Sequence, residues 1–168
     1  MNPKLIPFFS QEKLKELFEY KNGKLFWKIK GNGIRIGKHA GWINREGYRD
    51  IQINGKNYGE HRLIFLLFYG YFPKEIDHIN GNPSDNRIEN LRKVTRSQNQ
   101  MNKKKVIHKS SKYKGVSWDK QAQKWKVRIT KNGIVKQLGR YDNEIEAGKV
   151  YNQFAEKYFG EYKHINKF

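Results

Sequence analysis

The sequence predicts an α+β fold: an N-terminal antiparallel β region, and near the C-terminus a small three-stranded antiparallel sheet packed on one helix. Three observations carry this. Asn54-Gly55 separates two strand-like runs, Gly47 to Ile53 and Lys56 to Glu60, and both of its residues tolerate the positive φ of a type I′ hairpin. From Lys124 to Thr130, Trp125, Val127 and Ile129 alternate with Lys124, Lys126, Arg128 and Thr130, the period of a strand with one apolar and one cationic face. Asn143-x-x-Glu146 then opens a stretch with Ala147, Val150, Tyr151, Phe154, Ala155 and Tyr158 at helical spacing.

The remaining elements follow in order. Ser10 is placed to cap a first helix, with Leu14, Leu17 and Phe18 on one face and Asn22-Gly23 as its stop. Lys24 to Ile29 reads as a strand. Arg62 to Tyr69, with Leu63, Leu66 and Leu67 on one side, reads as a mostly buried helix ended by Phe72-Pro73. Thr95-x-x-Gln98 is a capping-box pattern, so a helix begins there and runs towards Lys104 with Asn99 in its first turn. Met101 to Lys112 holds Lys103, Lys104, Lys105, Lys109 and Lys112 and no acid, the composition of a solvated linker, and a boundary is expected near Ser110-Ser111. Tyr113 to Trp118, Lys124 to Thr130 and Ile134 to Leu138 form the last sheet. The helix that follows covers its apolar face and leaves a basic surface exposed. Trp27 and Trp125 alternate with polar neighbours and are expected in the cores.

Charge points to a polyanionic partner. With 35 Lys and Arg against 16 Asp and Glu in 168 residues, the net charge is +19, outside the balance of most soluble enzymes, and nucleic acid is the first expectation. Leu63 to Tyr71 is the longest apolar run and is too short to span a bilayer, so no membrane partner is expected. The first residues lack the basic, apolar and small-residue succession of a secretory signal, which leads to the expectation of a cytoplasmic protein. The absence of cysteine excludes disulfides and Cys-x-x-Cys zinc ribbons, so no structural zinc is expected.

The chemistry concentrates in Ile76-Asp77-His78-Ile79-Asn80-Gly81-Asn82-Pro83, followed by Asn90-Leu91-Arg92 and Thr95-Arg96-Ser97-Gln98-Asn99. Phosphodiester hydrolysis needs a group that deprotonates water and a divalent cation that neutralises developing charge. His78 and Asp77 supply such groups. Neighbours on a strand point to opposite faces, so the two serve one site only where the strand bends or ends, and Asn80-Gly81-Asn82-Pro83 provides an ending. From about His61 to Lys104 the chain resembles the HNH nuclease family. That resemblance implies a ββα-metal core with His78 as general base, Asp77 and Asn99 as ligands of one divalent cation, Mg²⁺ or Mn²⁺, per active site, and Asn90 bracing the loop through hydrogen bonds to its backbone. Asn99 stands where the eponymous pattern has histidine, as in the intron-associated phage branch. Arg92 and Arg96 are read as contacts to the DNA backbone near the site, and Lys103, Lys104 and Lys105 as phosphate contacts. His61 is read as a hydrogen-bonded structural histidine rather than a ligand. His39, His108 and His164 carry no motif.

Residues 112 to 168 are similar to the apetala-type DNA-binding domain of plant and phage proteins, on Tyr113-Lys114-Gly115-Val116, Trp125, Leu138-Gly139-Arg140-Tyr141, Glu146-Ala147 and Tyr151. The resemblance implies a sheet that lies in the DNA major groove, with contacts from Lys114, Lys126 and Arg128. Ser117 and Val135-Lys136 depart from the plant pattern, which bears on base-specific readout. The expected organisation is 1–60 as a helix and β region contacting DNA, 61–104 as the nuclease core, 105–111 as a basic linker and 112–168 as the apetala-type domain. The reading is a homing-type HNH endonuclease that nicks or cleaves double-stranded DNA. One site per chain favours action as a monomer and leaves a dimer open. The rival reading is a DNA-binding regulator with a vestigial nuclease core.

Overall fold

A computed structural model describes residues 10–31, 34–103 and 110–168. The chain divides into two compact units, 1–93 and 94–168. The expected linker falls largely outside the described residues, as do Lys104, Lys105 and His108. Helix-forming Arg96 to Asn102 groups with the second unit.

In the first unit, α1 (Gln11–Leu17) is capped by the Ser10 hydroxyl, which accepts from Lys13 N at 3.2 Å. The helix stops earlier than expected. Phe18 is extended and opens β1 (Phe18–Lys21), which pairs antiparallel with β2 (Lys24–Trp27). Asn22-Gly23 is thus a hairpin turn and not a helix stop, its φ values of 46° and 78° matching type I′. The strand wins because Phe18, Leu25 and Trp27 can then all face one core. β2 ends at Trp27, and Ile29 is left exposed.

β3 (Trp42–Ile43), β4 (Arg49–Ile53) and β5 (Lys56–Gly59) form a sheet in that order, with the Asn54-Gly55 hairpin where the sequence predicts it. Ile51 and Ile53 face the core. Glu60, expected to end the last strand, instead begins α2 (Glu60–Tyr69) and is buried at its N-terminus. Leu63, Ile64, Phe65 and Leu66 of α2 are buried in the same core as α1 and the hairpin. Gly70, left-handed at φ 78°, caps α2 through its N–H to Leu66 O, so the helix ends at Tyr69 as expected, but on Gly70 rather than on Phe72-Pro73. β6 (Glu75–His78) pairs with β7 (Leu91–Val94), which ends at the unit boundary. One core therefore runs through both 1–60 and the segment that follows.

In the second unit, α3 (Arg96–Asn102) starts with the capping box formed by Thr95 and Gln98. β8 (Val116–Asp119), β9 (Lys124–Lys131) and β10 (Ile134–Tyr141) make an antiparallel sheet with β9 central, and α4 (Glu144–Phe159), capped by Asn143, lies on its apolar face. β10 runs three residues beyond the expected end, past a bulge between Gln137 and Gly139. Met101 of α3 is buried with Tyr113, Val127, Tyr151 and Phe159. Lys114 donates to the carbonyls of Gln100, Met101 and Lys103, closing the C-terminal end of α3. No helix among the described residues is long and apolar enough to cross a membrane.

Candidate functional site

β6 carries Asp77 and His78 into the interior: Ile76, Asp77 and His78 are all buried, so both faces of the strand are covered. The strand stops there. Ile79 N donates to Asn90 O at 2.9 Å and Gly81 N to His78 O at 2.8 Å, turning the chain into the 79–90 loop. Asn90 ties that loop shut. Its Oδ1 accepts from Asn80 N at 3.0 Å, and its Nδ2 donates to Asp85 O at 2.7 Å and to Asn80 Oδ1 at 3.1 Å. Asp85 accepts from Arg87 through both carboxylate oxygens, and that hydrogen bonding holds its carboxyl down at about 2.

Asp77 and His78 have different surroundings. The Arg92 guanidinium lies on the Asp77 carboxylate, with Nε and Nη2 at 2.9 and 2.8 Å from Oδ2. Arg92, read from sequence as a phosphate contact, is thus turned onto the carboxylate. The His78 ring sits among Tyr48, His61 and Asn86: its centroid is 5.4 Å from that of His61 and 5.9 Å from that of Tyr48, and its Nε2 is 2.8 Å from Asn86 Oδ1. Asn86 Nδ2 in turn donates to Glu60 Oε2 at 2.9 Å. Burial, with the Asp77 and Glu46 carboxylates nearby, pushes the Tyr48 hydroxyl up and keeps it protonated.

His61 departs from its expected role. Its Nδ1 is buried with no hydrogen-bond partner among the described residues, so the ring is not a hydrogen-bonded structural histidine. Burial first, then the neighbouring His78 and Arg62, lowers it to about 3, which keeps this imidazole neutral beside His78. A Cβ on Gly59 would lie 2.7 Å from His61 Cε1, so the bare glycine is what admits the ring. His39 is the structural histidine, with Nε2 2.8 Å from Glu60 Oε1.

Asn99 lies within α3 of the second unit, half-buried, and Arg96 is exposed at the start of that helix. Lys103 is the exposed C-cap of α3. On the C-terminal sheet, Arg128 is exposed, while Lys126 Nζ lies 3.3 Å from Asp119 Oδ2, an oxygen that Arg140 Nε also reaches at 3.1 Å. Lys114, implied as a DNA contact, is used on α3 as described above.

Sequence reasoning missed Glu60, Asn86 and Tyr48. An acid followed directly by His61 in so basic a chain, and an Asn four residues before Asn90, were the signals. Their convergence needs α2, the loop and β6 to meet in space.

The donor set suits a hard divalent cation. Asp77 offers a buried carboxylate whose charge Arg92 already balances, and the chain has no thiol. Among the described residues no three His, Cys, Asp or Glu cluster together, so a cation held here would keep water and phosphate oxygens in its shell.

Known proteins place the chain in a family. The HNH endonuclease family pattern matches residues 58–101. The chain is 34% identical over 135 residues to the uncharacterized HNH endonuclease L560 of Acanthamoeba polyphaga mimivirus, covering 79% of this chain and 69% of that protein. It is 38% identical over 75 residues to Protein 3.8 of Escherichia phage T7, covering 44% of this chain and 62% of that protein. No solved structure matches. With the pattern falling on α2, β6, the locked loop, β7 and α3, and a relative aligned over most of both chains, this protein belongs to the HNH endonuclease family.

Proposed function

We propose that this nuclease is a divalent-metal-dependent, homing-type endonuclease that hydrolyses phosphodiester bonds of double-stranded DNA, acting in the cytoplasm of its host cell. The observation that carries the proposal is the buried Asp77-His78 pair at the end of β6, closed by the loop that Asn90 locks. In this reading His78 accepts a proton from the attacking water, and Asn90 holds the loop so that the imidazole does not drift. Asp77, with Asn99 as the second oxygen donor, would hold one Mg²⁺ or Mn²⁺. When bound, the cation supplies charge neutralisation at the scissile phosphate and the leaving oxygen. Arg92 keeps the Asp77 carboxylate oriented and compensated.

The C-terminal unit is proposed as an apetala-type DNA-binding domain. The support is a sheet whose solvent face carries Lys126, Arg128 and Arg140 while α4 covers the other. Lys114 leaves the set of proposed contacts because it caps α3; Arg96 and Lys103 stay as phosphate contacts by their exposure. Incubation with supercoiled plasmid, with Mg²⁺ or with EDTA, tests the activity. Conversion to open-circular or linear DNA with Mg²⁺ alone is expected. Binding without cutting under every divalent ion would favour the regulator reading.

A further inference from the structure

Three polar side chains linked by hydrogen bonds, Glu60, Asn86 and His78, are only 1%, 2% and 5% exposed and run from the first residue of α2 through the loop to the end of β6. Their hydrogen-bonding capacities leave one arrangement. A carboxylate only accepts, so Asn86, 2.9 Å from Glu60 Oε2, must turn its NH₂ to that oxygen. Its carbonyl oxygen, which also only accepts, then faces His78 at 2.8 Å, and the proton must sit on Nε2. In the neutral ring, Nδ1 is then the nitrogen that carries the lone pair. The other Glu60 oxygen takes Leu25 N at 2.8 Å and His39 Nε2 at 2.8 Å, so the backbone of β2 holds the carboxylate in place. The β1–β2 turn also packs closely on the loop: a Cβ on Gly23 would lie 2.5 Å from Arg87 N.

The geometry points to Glu60 and Asn86 as positioning residues that set the tautomer and orientation of the His78 ring, holding it as the Nε2–H form with Nδ1 as the proton acceptor. The catalytic consequence rests on His78 being the general base. Glu60→Gln is the sharpest perturbation because it is nearly isosteric. A glutamine amide can donate, so Asn86 is free to flip, present its NH₂ to Nε2 and drive the ring to the Nδ1–H form. Asn86→Leu removes the constraint altogether. A misplaced or wrongly protonated base forfeits much of what general-base catalysis supplies, a loss of about 10²- to 10⁴-fold in rate.

Long-range ¹H–¹⁵N spectra of the full chain with labelled histidine report which ring nitrogen of His78 carries the proton. The wild type is expected as Nε2–H; an Nδ1–H form would overturn the proposal without any variant. Glu60→Gln and Asn86→Leu should shift His78 towards the other tautomer or a mixture and lose single-turnover cleavage, with DNA affinity and half-saturating Mg²⁺ unchanged. In a His78→Ala background neither should cost further rate, since the group they position is gone. Folded variants that keep the wild-type tautomer would overturn the proposal. A His78→Ala chain that cuts at the wild-type rate would instead remove the base assignment, while the spectra of the other variants decide the positioning role separately.

Discussion

The neutral His61 ring beside His78 makes acid stability a direct test of the packing around the site. In an unfolded chain this imidazole titrates near 6.5, and in the folded protein burial and its neighbours lower it to about 3. Below 6.5 the unfolded chain takes up the proton first, so the contribution of His61 to stability is complete above pH 6.5 and is lost as pH falls towards 3. At about 1.4 kcal/mol per pH unit, stability should fall by ~3 kcal/mol by pH 4.5 and by ~5 kcal/mol across the whole window. His61→Phe keeps a ring in the space beside Gly59 and removes the titration. Urea unfolding of both proteins, free of metal and DNA and followed by tryptophan fluorescence at several pH values from 7 to 4.5, cancels the carboxylates that the two share. The difference in unfolding free energy should shift steadily in favour of His61→Phe as pH falls. Parallel curves for the two proteins would show that His61 is solvated or paired, and the account of its burial would be wrong.

Four other outcomes are expected. Arg92→Gln leaves the buried Asp77 carboxylate without its guanidinium and should destabilise the metal-free protein by about 3–5 kcal/mol, read by urea unfolding, with part of the loss recovered on adding Mg²⁺. Gly23→Ala sets a side chain at φ 78° against the Arg87 backbone and should cost about 1–3 kcal/mol on the same measurement. Asp77→Ala should raise the Mg²⁺ needed for half-maximal cleavage, whereas His78→Ala should lower the single-turnover rate about 10²- to 10⁴-fold at saturating Mg²⁺. Arg128→Ala should weaken DNA binding and reduce the salt slope of log Kd by about one, as expected for one lost phosphate contact.

The Asn54-Gly55 hairpin and the starts of α1, α3 and α4 were legible because their signals are local. Asn54-Gly55 needs only its own φ angles, and Ser10, Thr95 and Asn143 act on N–H groups within three residues. The burial of Val127 and Ile129 follows from a period of two. Errors came where a local signal fitted two structures. Asn22-Gly23 serves equally as a helix stop or a hairpin turn, and the choice fell to the apolar surface that Phe18, Leu25 and Trp27 bury together. Gly70 rather than Phe72-Pro73 ends α2, because a left-handed glycine closes the last turn before the proline is reached.

By itself the sequence determined the cationic character, the α+β class, the order of Asp77, His78, Asn90 and Asn99, and the HNH resemblance that this order carries. These are properties of composition, period and spacing. Only the tertiary structure decided what surrounds each of those side chains: Arg92 on Asp77, Asn86 and Glu60 behind His78, a His61 ring beside it whose Nδ1 has no hydrogen-bond partner among the described residues, and Lys114 spent on α3. The physical reason is separation along the chain. Glu60 and Asn86 are 26 residues apart, and Leu25 and Glu60 are 35 apart, so no window of sequence holds both partners. Their hydrogen bonds exist only after the core formed by the N-terminal hairpin and α2 has brought the two segments together.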